Sequence, residues 1–229
     1  MKDILFNLIP ELKNNPQEYI DSVLRRYQEF MTYSQIPERC IGFMDQEIIP
    51  TRLYKLFGNM QEAVQDRYNF IFKFKDYRNL CYLAYLMLQA YFKQCYHKEA
   101  IIEDILYIDT KLLVEDYKKL MDFSESNLSP ELVHSLSVLY GGIEKAALVI
   151  WDKFEMLDSK FDRDKIYDIL SVRQRRGLSN FYFTMQTSDN LLASIGNIAT
   201  FINDQDLYFD CESYIIDIPK NKEVDKFKC

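Results

Sequence analysis

The fold of this chain is decided by the stretch ALVIWDKFEML, residues 147–157. Apolar residues run without a polar interruption from Ala146 to Trp151, and the run ends in the acid Asp152. A short, continuous apolar run is typical of a strand that is buried on both faces of a sheet. We therefore expect a central strand here, with Asp152 at its carboxyl end.

Further apolar runs predict more strands on both sides of this one. They are NFIFKF (69–74), DILYID (104–109), NFYFTM (180–185), LYFD (207–210) and SYIIDI (213–218). Helical patterns separate them, and the connections are too long for hairpins, which favours parallel pairing. The prediction is a three-layer α/β domain at residues 67–229, with a mainly parallel sheet of about five strands, preceded by a helical segment at residues 1–66.

Local signals place several helix ends. Asn15, Pro16 and Glu18 predict the start of a helix, and Ser159 predicts another. Gly141 and Gly177 are expected just beyond the ends of two helices, since glycine suits the left-handed conformation found there.

The composition excludes some classes of function. A net charge of −7 does not favour strong nonspecific binding of nucleic acid by the whole molecule. The N-terminal MKDILFNLIPELKNN is too charged for a signal peptide, and no run reaches eighteen apolar residues, so we expect a cytoplasmic protein without a membrane span. The histidines His97 and His134 have no cysteine or acid at metal-binding spacing, so no metal site is predicted.

The order of these elements resembles the AAA+ ATPase domain of bacterial replicative helicase loaders (the DnaC/DnaI type) and the related IstB-type transposition ATPases. The resemblance covers roughly residues 68–218. It depends on two stretches, ALVIWD at the family's acidic strand and YDILSVRQRRGLSNFYFTMQTSDNLLASIG at its helix, sensor strand and following helix. It implies a P-loop NTPase-like fold of the AAA+ type.

The phosphate loop that the resemblance implies is degenerate in this chain. A P-loop needs glycines, a lysine and a hydroxyl, yet no glycine occurs between Gly58 and Gly141. The expected loop is KFKDYRNL, where Lys73 and Arg78 replace the two glycines, Asn79 the lysine and Leu80 the hydroxyl, with Lys75 between them. Lys73, Lys75 and Arg78 could still attract an anion at a helix N-terminus.

The remaining catalytic positions of the family are also altered. Trp151 replaces the acid that orders the metal, which leaves only Asp152, and Gln186 replaces the sensor asparagine. No arginine occurs near Phe201–Asn203, where the arginine finger is expected, and Ile215 or Ile216 takes the place of the second sensor arginine. The resemblance therefore predicts no cofactor and no catalytic residues.

The leading hypothesis is a catalytically inactive, helicase-loader-like interaction protein in DNA replication or mobile-element maintenance. Its expected partner is a replicative helicase, an active loader or a related ATPase, and self-association is a further candidate. Two groups of contact residues are predicted: an aromatic face for a protein partner (Tyr19, Tyr27, Phe30, Tyr33) and a basic cluster for nucleic acid or an acidic partner (Arg173, Arg175, Arg176). The aromatic face could instead pack against the α/β body.

Two alternatives remain open. One is a residual nucleotide-binding ATPase or switch with an atypical phosphate loop. The other is a structural α/β module unrelated to helicase loaders.

Overall fold

A parallel sheet forms the centre of the protein. The computed structural model describes residues 2–38, 53–74, 77–98, 101–122, 130–201 and 207–210. The strands are β1 (Phe70–Lys73), β2 (Ile105–Asp109), β3 (Leu148–Asp152), β4 (Ser179–Thr184) and β5 (Leu207–Asp210). They lie in the order β2-β3-β4-β1-β5, and every neighbouring pair is parallel. The predicted strand at 213–218 lies outside the described residues.

Helices cover both faces of this sheet. They are α1 (Lys2–Leu8), α2 (Gln17–Tyr33), α3 (Leu53–Gly58), α4 (Met60–Gln65), α5 (Tyr77–Cys95), α6 (Thr110–Asp122), α7 (Pro130–Lys145), α8 (Lys160–Arg176) and α9 (Ser188–Ile195). The sheet and its two helical layers confirm the predicted three-layer α/β fold with a mainly parallel sheet of about five strands. The predicted boundary between residues 66 and 67 falls between α4 and β1.

Alternate residues of the strands divide the core in two, because successive side chains of a strand point to opposite faces. Phe70, Phe72 and Ile150 face a core shared with α5 and the N-terminal helices. Ile71 and Trp151 face a second core shared with α6 to α9. Helix α5 is apolar on almost every side because it lies between the sheet and the N-terminal helices.

The N-terminal helices pack on the α/β body. Residues of α1 to α4 belong to the same core as α5 and the sheet. Beyond α2, the carbonyl of Ser34 accepts a 2.8 Å hydrogen bond from the backbone N–H of Tyr107 in β2. The end of α2 therefore covers part of the outer edge of β2, where an unpaired strand would otherwise be open to pairing with another chain.

The helix-end predictions had mixed outcomes. Ser159 and Asp162 form the reciprocal capping box of α8, and Gly177 ends that helix in the left-handed conformation, at φ 63°. The prediction for Asn15 was wrong, since the side chain of Asn15 donates to the carbonyl of Glu11 and Pro16 occupies the N-cap of α2.

The prediction for Gly141 was also wrong, because α7 continues to Lys145. The adjacent Gly142 lies close to side chains of other elements. A Cβ atom on Gly142 would lie 3.1 Å from the hydroxyl oxygen of Tyr33 and 3.2 Å from a methyl carbon of Leu106. The close approach of Tyr33 and Leu106 favours a small residue at position 142, which lies inside the helix and does not terminate it.

None of the helices in the described ranges has the length and hydrophobicity needed to cross a lipid bilayer.

Candidate functional site

The predicted phosphate loop corresponds to a short connection between β1 and α5. Strand β1 ends at Lys73 and α5 begins at Tyr77, so Arg78 and Asn79 belong to the first turn of the helix. Lys75 and the side chains of Arg78 and Asn79 lie outside the described part of the chain. The buried Phe74 donates its backbone N–H to the carbonyl of Thr184 at 3.2 Å. This amide, in the second position of the expected loop, is therefore bound to the sheet, whereas a phosphate loop needs its amides for phosphate oxygens.

Leu80 stands at the position of the metal-binding hydroxyl. It is fully buried and belongs to the core that α5 shares with the sheet and the N-terminal helices. Lys73, at one of the glycine positions, is half-buried at the end of β1. A buried leucine has no atom that can bind a metal ion, so this position contributes to packing.

Trp151 fills the position of the metal-ordering acid. It is fully buried in β3, beside Tyr182 of β4 in the sheet register, on the face covered by α8 and α9. Its indole N–H donates to Oδ1 of Asn180 at 3.1 Å. Because indole nitrogen is only a donor, this side chain has no lone pair to offer a metal ion.

Asp152 points to the opposite face of the sheet, where it is 1% exposed. Its Oδ2 accepts a hydrogen bond from the hydroxyl of Tyr107, and its Oδ1 accepts one from the backbone N–H of Lys153 at 3.0 Å. Burial raises the pKa of Asp152 to about 6, while the hydrogen bond from Tyr107 opposes this increase. Both carboxylate oxygens are thus bound by groups of the chain itself.

Lys153 brings a positive charge to the same edge of the sheet. Its backbone is left-handed, at φ 53°, which is unfavourable for a residue with a Cβ atom. Its Nζ forms an ion pair with the carboxylate of Asp109, at the end of the neighbouring β2. The other oxygen of Asp109 accepts the backbone N–H of Leu112 at 3.2 Å, in the first turn of α6.

The strand-end carboxylates therefore have an internal cation beside them. Asp109 and Asp152 are partners in the sheet register. The ammonium group of Lys153 contacts Asp109, and its backbone N–H donates to Asp152. Within the described ranges, no group of three or more His, Cys, Asp or Glu side chains is placed to hold a metal ion. Sequence reasoning missed Tyr107, Asp109 and Lys153, although the acids that end DILYID and ALVIWD were visible as a pair.

Gln186, for which the resemblance implies the sensor position, lies two residues beyond the end of β4. Its backbone N–H donates to Oγ1 of Thr184 at 2.9 Å, and its side-chain oxygen lies 3.4 Å from the hydroxyl of Ser194 in α9. These contacts connect the end of β4 to α9. Of the remaining family positions, Phe201 is described, whereas 202, 203, 215 and 216 lie outside the described residues.

The prediction of a ligand contact at Arg173 was wrong, because Arg173 is fully buried. Its guanidinium donates to Oδ1 of Asn180 at 2.7 Å and to the carbonyls of Ile143, Ala146 and Ser179, the last two at 2.9 and 2.5 Å. Two of these carbonyls lie at the C-terminal end of α7, where helical carbonyls lack intrahelical partners. Burial lowers the pKa of Arg173 to about 9, so it stays protonated at neutral pH.

The other two residues of the basic cluster are exposed. Arg176 donates to the carbonyl of Glu144 at 2.8 Å and lies 3.4 Å from its carboxylate. A contact with nucleic acid or an acidic partner remains a prediction for Arg175 and Arg176 alone.

The predicted aromatic partner face was also wrong, because most of it packs inside the protein. Tyr27 and Phe30 are buried against α5, with their ring centroids 5.0 and 5.5 Å from that of Phe92. Tyr33 is half-buried, with its hydroxyl close to Gly142, and only Tyr19 is exposed, at 38%. The aromatic stripe of α2 therefore attaches this helix to the α/β body.

Comparison with known proteins finds a similarity of fold. No protein-family model matches the sequence, and no curated protein matches it. Among solved structures, the chain is similar to one described as the crystal structure of the DnaC helicase loader. The two share 16% sequence identity, with 69% of this chain and 89% of that chain covered, and the TM-score is 0.48. A similarity at this level of identity concerns the fold alone.

Proposed function

We propose that the protein is a catalytically inactive, helicase-loader-like interaction protein that acts in DNA replication or in the maintenance of a mobile element. It keeps an AAA+-like framework and uses it to bind a replicative helicase, an active loader or a related ATPase. The observation that carries the proposal is the ion pair of Lys153 with Asp109 beside the buried Asp152.

This arrangement opposes metal-assisted hydrolysis in two ways. A catalytic Mg²⁺ needs oxygen ligands that are free to bind it, whereas the carboxylates of Asp109 and Asp152 are bound by Lys153, Leu112 and Tyr107. The ammonium of Lys153 also adds a positive charge where a metal ion would have to approach, and like charges in a partly buried site repel.

The residues at the positions that would bind nucleotide also support catalytic inactivity. Trp151 and Leu80 are fully buried in the two cores, so restoring either polar group would disturb packing. An active ATPase would need catalytic groups at these two positions. In this chain, Trp151 and Leu80 contribute to core packing. The resemblance of residues 68–218 to helicase loaders supports the proposal that the partner is a replicative helicase, an active loader or a related ATPase.

Equilibrium binding of fluorescent ATP in the presence of Mg²⁺ tests the inactivity. We expect no saturable binding up to millimolar nucleotide and no phosphate release. Saturable binding that is changed by Lys153→Met would support the alternative of a nucleotide switch, because Lys153 lies at the strand-end carboxylates. The exposed Lys119, which pairs with Asp116 on α6, provides a matched control as Lys119→Met.

Affinity capture from native cells, followed by binding of the purified candidate, tests the partner. We expect a replicative helicase, a loader or a related ATPase to bind the purified chain with a 1:1 or other fixed stoichiometry. Failure of all three classes to bind would favour a structural α/β module unrelated to helicase loaders.

A further inference from the structure

A second concave site lies at the opposite edge of the sheet from the strand-end carboxylates. It is a cavity of about 220 Å³ beside the amino-terminal ends of β1 and β4, and its lining includes Arg67, Asn69, Gln174, Gly177, Asn180 and Phe201. We call it the Arg67 cavity. Among the described residues that line it, none is Asp or Glu. It is separate from the degenerate phosphate loop, which lies at the carboxyl end of β1.

The backbone of Arg67 is held in an unfavourable conformation. Arg67 follows the end of α4, and its φ of 65° lies in the left-handed region, where glycine or asparagine is usual. Placing another residue there costs about 1 kcal/mol or more. The backbone N–H of Arg67 donates to the carbonyl of Val64 at 3.2 Å, which fixes this turn.

The side chain of Arg67 lies against the backbone of Gly177. A Cβ atom on Gly177 would lie 2.6 Å from Nη1 of Arg67 and 3.0 Å from its Cδ, too close for any real Cβ atom. Gly177 therefore serves two purposes, since it ends α8 in the left-handed conformation and leaves room for the guanidinium. The position of this cation depends on features of two separate elements.

The guanidinium of Arg67 has no acceptor among the described residues. Across the described ranges, no hydrogen bond or ion pair joins its side chain to another residue. The side chain of Gln174 likewise has no partner there, and the amide nitrogen of Asn69 makes no hydrogen bond, since only its oxygen is used, by Asn180. Unused donors from two segments, the α4–β1 connection and α8, thus surround one cavity.

Charge favours an anion in this cavity. Directly behind Asn180, the buried guanidinium of Arg173 donates to Oδ1 of Asn180 at 2.7 Å. The four partners of Arg173 are neutral oxygens, and in the described part of the chain no carboxylate pairs with it. The carbonyl dipoles offset part of that charge, and the exposed cation of Arg67 adds to it.

We propose that the Arg67 cavity binds a small molecule through a carboxylate or phosphate group. The planar guanidinium of Arg67 binds two oxygens of that group side by side, as arginine does with both kinds of oxyanion. Asn69 and Gln174 donate further hydrogen bonds, and Phe201 provides an apolar wall. The cavity holds about seven water molecules by liquid volume, which limits the ligand to a small metabolite.

Calorimetric titration of the full chain with inorganic phosphate and with succinate, at constant ionic strength, tests the proposal. We expect saturable binding of at least one of the two, and the stronger ligand identifies the oxyanion class. Arg67→Gln should weaken binding at least tenfold, whereas Arg175→Gln, an exposed arginine on α8 that does not line the cavity, should leave it unchanged.

The variant Arg67→Gly distinguishes a direct loss of oxyanion binding from a loss that is caused by unfolding. Glycine accepts the left-handed backbone without strain, so this variant should be at least as stable as the wild type and should still lose oxyanion binding. Absence of binding to the wild type would overturn the proposal. So would binding that survives in both Arg67 variants, which would place the oxyanion elsewhere, for example near Lys73. The ATP titration under the proposed function tests a different site, so its outcome does not depend on whether the Arg67 cavity binds an oxyanion.

Discussion

Arg173 and Trp151 donate to the same atom, the Oδ1 of Asn180, at 2.7 and 3.1 Å. The two residues come from the two stretches on which the family resemblance depends. Asn180 also donates through its amide nitrogen to the carbonyl of Leu178 and to the oxygen of Asn69. A buried polar network therefore joins β3, β4, α8 and the residue before β1.

We expect Arg173→Met to lower the free energy of unfolding by about 3 kcal/mol or more. Methionine has a similar length but leaves the carbonyls of Ile143, Ala146 and Ser179 without a donor, and each unsatisfied buried group costs about 1–3 kcal/mol. Urea unfolding followed by circular dichroism measures the change. Arg175→Met, two residues away on the exposed side, should change stability by only about 0.5 kcal/mol. Equal effects of the two substitutions would contradict the structural role of Arg173.

We expect Trp151→Asp, which restores the family's acid, to destabilise the protein strongly. The substitution removes a fully buried indole, which for Trp→Ala costs about 3–5 kcal/mol, and adds a carboxylate on an apolar face. Trp151→Phe is the control, because it keeps most of the packing and loses one hydrogen bond, for about 1–2 kcal/mol. Thermal unfolding compares the two, and an aspartate variant as stable as the phenylalanine variant would show that position 151 tolerates the acid.

Much of the fold could be predicted from the sequence because its signals are local. The runs FIF (70–72), ILYI and LVIW are apolar at every position, as is typical of strands buried on both faces, and the capping box of Ser159 and Asp162 needs only residues three apart. Gly142 shows where such reasoning fails. Its tight contact with Tyr33 joins residues more than a hundred positions apart, and no local pattern contains that information.

The inward orientation of the Arg173 side chain could have been predicted from the sequence. Ile166, Ile169, Leu170 and Arg173 follow the spacing of a single helical stripe, and all four are buried. An arginine at a stripe position is expected to point inward, whereas Arg175 and Arg176 fall outside the stripe. The same argument applies to Tyr27 and Phe30, which lie on the apolar stripe of α2. The ion pair of Lys153 could not be predicted, since it depends on a left-handed backbone and on the register of β2 with β3.

We expect any binding of DNA to be weak and to depend on Arg175. The net charge of −7 opposes association, so a local cation must supply the contact. Fluorescence anisotropy at several salt concentrations should show that Arg175→Glu weakens binding and lowers the slope of log K against log salt by about 1. Lys13→Glu makes the same charge change on an exposed residue near α1, on the other side of the sheet, and should have little effect. Equal losses in the two variants would indicate a general charge effect without a site.

We expect the stability of the protein to fall as the pH rises from about 4 to about 6, because of Asp152. Burial raises its pKa from 3.8 in the unfolded chain to about 6 in the folded protein, so the folded state holds the proton to a higher pH. Between these values the folded state binds more protons, and the free energy of unfolding decreases with pH. A shift of about 2 pH units corresponds to about 3 kcal/mol, fully present below pH 4 and lost above pH 6.

Asp152→Asn isolates this contribution, since asparagine does not titrate and keeps an oxygen that can accept the hydroxyl of Tyr107. The free energy of unfolding of the variant, minus that of the wild type, should therefore increase by about 3 kcal/mol between pH 4 and pH 7. Chemical denaturation at several pH values measures the difference. Lys153→Met should move the wild-type transition to higher pH, because the charge of Lys153 lowers the pKa of Asp152. A difference that stays constant with pH would mean that Asp152 is ionised in the folded protein throughout this range, and that the carboxylate is available to a cation after all.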